Sequence, residues 1–231
     1  DEIWRGVKGN LPHVRTDHKN YLNNTDPKIR NLLITSLFKL DSNLYGRLEA
    51  GYFEPSYAGV SSEILYFPSG HNFSIGAELN YSKSRDYRQL FNLKELEGLS
   101  EINGHISGYW DTGYYDYLSQ IDVGKYLAGD KGGTLKLTRD FRNGWKVGGF
   151  FTITDAPFSD FGEGSFDKGI FLKIPTHSVA PFDTKGLLVS ETIRPISGDG
   201  GARMIVPNRL YDTLYRYTSK NLKRTWPNIW R

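Results

Sequence analysis

Cysteine is absent and methionine occurs once among 231 residues, so disulfides, thiolate metal sites and cysteine nucleophiles drop out together. No window approaches the ~18 to 20 uninterrupted apolar residues that a bilayer-crossing helix needs, which excludes a helical membrane protein. Charge of one sign is also lacking. Lys and Arg number 29 against 26 Asp and Glu, a net of +3, and no basic run interleaves with a binding motif, so nucleic acid is not an expected partner. His13, His18, His71 and His177 show neither H-E-x-x-H nor another zinc spacing, and no glycine cluster has a phosphate-loop pattern, so no cofactor is expected. What is present is 25 Gly, 15 Tyr, 13 Phe and 5 Trp, a strand-and-turn composition rich in aromatics. The length suits one large β domain.

The stretch from Gly132 to Asp155 reads as two long strands joined at Asn143-Gly144, a dipeptide that tolerates the left-handed backbone of a tight turn. Leu135 and Leu137 alternate with Thr134, Lys136 and Thr138 on the first arm. Trp145, Val147, Gly149, Phe151 and Ile153 alternate with Lys146, Gly148, Phe150, Thr152 and Thr154 on the second. The same period of two marks 43–53, 72–82, 102–111 and 114–124, and further strands are expected at 31–40, 61–68, 166–174 and 186–193, giving ten strands and room for twelve. Leu118 and Ser119 break the alternation of their strand.

Connections alternate short and long through the first eight strands, as in an up-and-down barrel of the outer membrane. The rule falters at 175–185. The expected fold is therefore all-β: an antiparallel transmembrane barrel of about 10 to 12 strands, apolar side chains against lipid and polar ones in the lumen. A polar entry segment over 1–30, with one short helix near 15–22, would precede a barrel domain at 31–208 and a basic tail at 209–231. The alternative is a soluble periplasmic sandwich that binds carbohydrate, its apolar faces packed on each other. Asp1 opens the chain without a charged-then-apolar leader, as expected if a leader has been removed or never belonged to this stretch.

Candidate ligand-binding residues on the polar faces are Arg47, Glu49, Glu78, Asn80, His105, Tyr109, Asp122, Lys136 and Lys146. They are expected to line the lumen as a charge lattice. His105, Ser107 and Asp111 share one polar strand face, but side chains two residues apart on a strand stand ~7 Å apart, too far for a nucleophile and its base. No enzyme is expected. Asp155, Asp160, Glu163 and Asp167 crowd a loop and supply the oxygen ligands calcium takes, yet without EF-hand spacing. A solvated acidic loop is the plainer reading. In the tail, Leu210, Leu214 and Tyr217 at helical spacing would suit an amphipathic helix against the rim or membrane surface.

Several stretches carry a likeness to a known family: YGRLEAGYFE at 45–54, AGVSSEILYFP at 58–68, GHISGYWDTG at 104–113, the long run 122–175 and RPISGDGGARM at 194–204. On these the chain resembles the YjbH family of outer-membrane β-barrel proteins, whose relatives include the GfcD proteins of capsule operons. The resemblance implies a protein of the Gram-negative outer membrane working with exopolysaccharide or capsule secretion, and no catalytic residues. Its expected partners are outer-membrane lipid, extracellular polysaccharide and other secretion proteins. Members are much longer, so this chain would correspond to their C-terminal part, with the remainder of the protein as a further partner.

Overall fold

The protein is described here by a computed structural model covering residues 11–15, 20–21, 27–88, 90–161, 166–175, 187–193 and 199–225. Its strands are β1 (Leu32–Asp41), β2 (Leu44–Tyr52), β3 (Tyr57–Tyr66), β4 (Phe73–Arg85), β5 (Leu93–Lys94), β6 (Ile102–Asp111), β7 (Tyr117–Lys125), β8 (Lys131–Asp140), β9 (Lys146–Thr154), β10 (Asp167–Pro175) and β11 (Leu187–Ile193). They form one antiparallel sheet in the order β1-β2-β3-β4-β6-β7-β8-β9-β10-β11, with the two-residue β5 pairing β4. Every long strand lies beside its sequence neighbour, as the pairing of successive arms predicts. β5 is too short for any period to reveal it.

Two helices follow, α1 (Leu210–Tyr215) and α2 (Ser219–Thr225). Among the described residues no helix is long and apolar enough to cross a membrane, which says nothing of strands.

One expectation needs correcting. The wall is not closed, since β1 pairs only with β2 and β11 only with β10 among the described residues. The sheet curls around a piece of its own chain instead of onto its first strand. Close approach of neighbouring strands is permitted at Gly51 and Gly59, which face each other across β2 and β3. Both have positive φ, and an added Cβ would strike a carbonyl oxygen of the next strand at 2.1 and 1.8 Å.

The strand pattern sorts side chains as its period demands. Along β4, Phe73, Ile75, Leu79 and Tyr81 are exposed, while Ser74, Glu78, Asn80 and Ser82 are buried. The convex face carries Ile34, Ile106, Ile121 and Ile170 uncovered, with Leu79 at 59% and Ile106 at 60% exposure. That overturns the sandwich: the described residues make a single sheet, and none of them forms a second layer over its apolar face.

The concave face buries charge in its middle and apolar groups at its two ends. At one rim, made by the connections 53–56, 86–101 and 126–130, Val14, Phe53, Tyr57, Leu127, Ala202, Met204 and Val206 pack together. This is the entry rim. At the hairpin rim, made by 42–43, 67–72, 112–116 and 141–145, Leu65 and Tyr109 pack with Leu210, Tyr211 and Tyr215. The segment 199–215 therefore threads the concavity from rim to rim.

This explains Leu118, which points inward by register and packs against the α1 cluster. Of the two places expected for a tail helix, α1 takes the rim, with Leu210, Tyr211 and Tyr215 buried against the concave face while Tyr217 is exposed. Of the entry segment, Val14 and Tyr21 are buried, and the Tyr21 hydroxyl donates to the carbonyl of Arg85 at 2.9 Å. Most of the helix expected at 15–22 lies outside the described residues.

Candidate functional site

Polar residues of β2, β3, β4, β6 and β7 meet the threaded segment in a buried ionic network. Arg47 is 1% exposed. Its guanidinium donates to Glu49 at 2.8 Å, to Glu63 at 3.0 Å and to the Ser61 hydroxyl at 2.9 Å. Alternation on β2 and β3 supplies all four groups to one face, and the register Arg47↔Glu63 and Glu49↔Ser61 sets them opposite one another.

Glu78 is the hub. Its carboxylate accepts from Arg209 at 2.7 and 3.1 Å and from Arg203 at 3.2 Å, and Arg47 stands 3.6 Å away. Arg203 also pairs with Asp122 at 2.8 Å, and Asp122 accepts from the Ser107 hydroxyl and from Gln120. Glu49 accepts from Asn208 at 2.7 Å, and the Leu210 N–H donates to Glu63 at 3.0 Å. Three guanidinium groups thus face four carboxylates, with backbone and amide donors meeting the excess acid. Burial of so many charges is tolerated only because each is paired and hydrogen-bonded.

The mouths are tied as well. Arg15 pairs with Glu54 and donates to the carbonyl of Arg203 at 2.6 Å, while Glu54 accepts the Ile205 N–H at 3.1 Å. Asp130 accepts the Gly201 N–H at 2.8 Å. At the hairpin rim Tyr109 stacks on Tyr211 with centroids 3.8 Å apart and planes at 3°, and Lys220 of α2 bridges Asp111 at 2.7 Å and Asp116 at 3.2 Å.

The candidates named from sequence divide accordingly. Arg47, Glu49, Glu78 and Asp122 belong to the network, and Asn80 joins it by donating to Glu78 at 3.1 Å. Tyr109 is in the aromatic stack at the hairpin rim. His105 is buried edge-on to Tyr126 at 4.6 Å, with no hydrogen bond to either ring nitrogen among the described residues. Lys136 and Lys146 lie apart, half-buried beside Phe171 at 5.1 Å and Tyr215 at 5.4 Å. All point inward, and Glu49, Glu78, Asp122, Tyr109 and Lys146 contact the threaded segment.

His105, Ser107 and Asp111 do not come together: Ser107 serves Asp122 and Asp111 serves Lys220. Among the described residues no group of three or more His, Asp or Glu could hold a metal. Of the calcium candidates, Asp155 accepts the Lys131 N–H at 2.7 Å, Asp160 lies in a short 3-10 turn, Asp167 is buried on β10, and Glu163 is outside the described residues.

Arg203, Arg209 and Glu63 were missed. Two of them sit in a stretch with no period. A usable signal was nonetheless present, namely the apolar Tyr45, Leu65, Tyr109 and Leu118 on otherwise polar faces, all near one rim.

Comparison with known proteins places this chain in a family. Residues 2–216 match the model of a family described as "Exopolysaccharide biosynthesis protein YbjH". The chain is 35% identical over 203 residues, 87% of its length, to the "Uncharacterized lipoprotein YjbH" of Escherichia coli (strain K12), and covers 29% of that relative. No solved structure matches. The family match and the identity over most of the chain agree, and the chain belongs to the YjbH family of exopolysaccharide biosynthesis proteins.

Proposed function

We propose that the chain forms the wall and internal plug of a non-catalytic outer-membrane β-barrel that takes part in secretion or surface assembly of an exopolysaccharide or capsule. The observation that carries this is the inversion of facing: leucines and isoleucines outside, arginines and glutamates inside. Water would penalise that arrangement, and hydrocarbon rewards it. An aliphatic belt is flanked by Phe73, Trp110 and Trp145 toward the hairpin rim and by Tyr81 and Phe91 toward the entry rim, in the manner of aromatic girdles. Nine residues from Phe73 to Tyr81 at ~3.3 Å each, tilted about 40°, give a belt of roughly 23 Å, close to the ~25 Å of such barrels.

Unpaired edges are not tolerated in lipid, so closure is required. β1 and β11 run in opposite directions. They can close on each other directly or through an even number of added strands, and the relative, of which this chain covers 29%, is long enough to supply such strands. The polymer role is supported by the family, and the envelope location by the relative's name, a lipoprotein of a Gram-negative bacterium. With the plug seated, a hydrated polymer has no path through a wall of this size. Polymer contact therefore belongs to the rims, or to the lumen-facing residues once the plug withdraws. Deleting the gene should reduce surface polysaccharide, and the protein should need detergent for extraction and migrate heat-modifiably. Unchanged polysaccharide would remove the polymer role, and extraction by salt alone would remove the barrel.

A further inference from the structure

On the convex face, β7 to β11 leave a hollow of about 900 Å³ between Leu137, Val147, Phe151 and Ile170. Its floor is Gly149, where an added Cβ would meet only Gly169 O at 3.5 Å and Ile170 Cγ2 at 4.0 Å, so a side chain could be placed there without a clash at its Cβ. Toward the hairpin rim the hollow adjoins a second, polar cavity of about 650 Å³ between the connections 112–116 and 141–145. Arg139 and Phe141 line both.

The Arg139 guanidinium lies among three rings, 4.6 Å from Phe141, 5.8 Å from Tyr117 and 5.9 Å from Tyr115. Arg142 is exposed in the polar cavity. Among the described residues neither arginine has a carboxylate partner, although two acids line the same space. Asp116 is taken by Lys220 at 3.2 Å and Asp140 by Lys146 at 3.7 Å. Two cations at the level of the aromatic girdle, over an apolar trough, have the layout of a lipid's headgroup and chain.

We propose that this double cavity holds an anionic phospholipid, one acyl chain along the Gly149 hollow and the phosphate, its charge not cancelled by a choline, between Arg139 and Arg142. The inference rests on the reading that the convex face meets lipid. Arginine suits the task because its planar fork matches phosphate bidentately, and ring stacking pre-orders it. Lys168 at the far end of the trough lies toward the opposite rim and is not required.

Native mass spectrometry of the detergent-purified protein with added phosphatidylglycerol or phosphatidylcholine of identical chains tests the assignment. Phosphatidylglycerol should be retained at a concentration at least about tenfold lower, as two basic side chains near an anionic headgroup imply. Arg139→Gln with Arg142→Gln should abolish the preference, Arg139→Lys with Arg142→Lys should keep most of it, and Gly149→Leu should weaken retention of both lipids. Heat-modifiable migration of each variant confirms its fold. Equal retention of the two lipids, a preference that survives in the double Gln variant, or displacement of phosphatidylglycerol by equimolar inorganic phosphate would overturn the proposal. A protein that inserts into bilayers without the preference loses only this site, whereas one that never inserts loses the barrel reading too.

Discussion

The two arcs of the wall treat the plug differently. From β2 to β7 the interior grips it by charge: Arg209 and Arg203 on Glu78, Arg203 on Asp122, Asn208 on Glu49, the Leu210 N–H on Glu63. From β8 to β10 the interior holds Lys136, Phe150, Phe171 and Lys173, and its contact with the plug is soft. Lys146 lies 5.4 Å from the Tyr215 ring, and Gly201 passes so near Thr152 that a Cβ would stand 2.6 Å from its Cγ2. The first arc fixes the plug's register, and the second fills space. Any withdrawal must break ion pairs on one side only.

The sharpest way to break that comparison is to empty the grip. Arg47→Met leaves Glu49 and Glu63 buried without their cation and should cost ~3 to 5 kcal/mol, the penalty for orphaning buried charge. Lys136→Met on the other arc should cost about 1 kcal/mol, the size of a cation–π contact. Urea unfolding in detergent micelles, followed by tryptophan fluorescence, measures both. Equal costs would mean that the arcs do not differ.

A second pair tests facing within the charged arc. Leu79→Arg places a cation at mid-belt and should cost roughly 2 to 4 kcal/mol in a bilayer. Gln120→Arg, inward and next to Asp122 at 2.9 Å, should cost clearly less. Asn80 is the poorer control that sequence alone would pick, for it is 2% exposed and bonded to Glu78 and Asn103. Equal folding yields in lipid would deny the inside-out arrangement.

The plug itself supplies the next contrast. Arg209→Gln should lose ~1.5 to 3 kcal/mol of charged hydrogen bonding to Glu78, loosening the segment 199–215. Planar-bilayer recordings should then show intermittent openings, and Lys146→Gln should stay as quiet as the parent. Openings in both variants, or in neither, would sever the ion pairs from the closed state.

How much of this was legible follows from where a period exists. Most of the long strands could be read because they alternate faces, as Ile102 to Asp111 does, and β1, exposed almost throughout, could be read from its hairpin partner instead. Facing was legible for the same reason. The plug was not: residues 199–209 have no regular element, and Arg203 and Arg209 look like solvated basic residues until the fold brings Glu78 to them from more than a hundred positions away. Closure could not be read either, because alternation constrains neighbours and says nothing of the first strand meeting the last.

The smallest expected effect lies at the entry rim, where Asp130, in the connection between the two arcs, receives the Gly201 N–H at 2.8 Å. Burial pushes its carboxyl up from the ordinary range, outweighing the Gly201 N–H and the Thr154 hydroxyl that pull it down. The folded protein therefore holds this proton more tightly than the unfolded chain. The resulting stability is complete below about pH 4, the unfolded value, and is lost as pH rises through the raised one. Asp130→Asn keeps an oxygen for Gly201 and removes the titration. Its thermal midpoint relative to the parent should rise with pH from about 4 upward and then level. A flat or falling difference would mean that water reaches this carboxylate, and that the plug's mouth is looser than the charged arc that holds its middle.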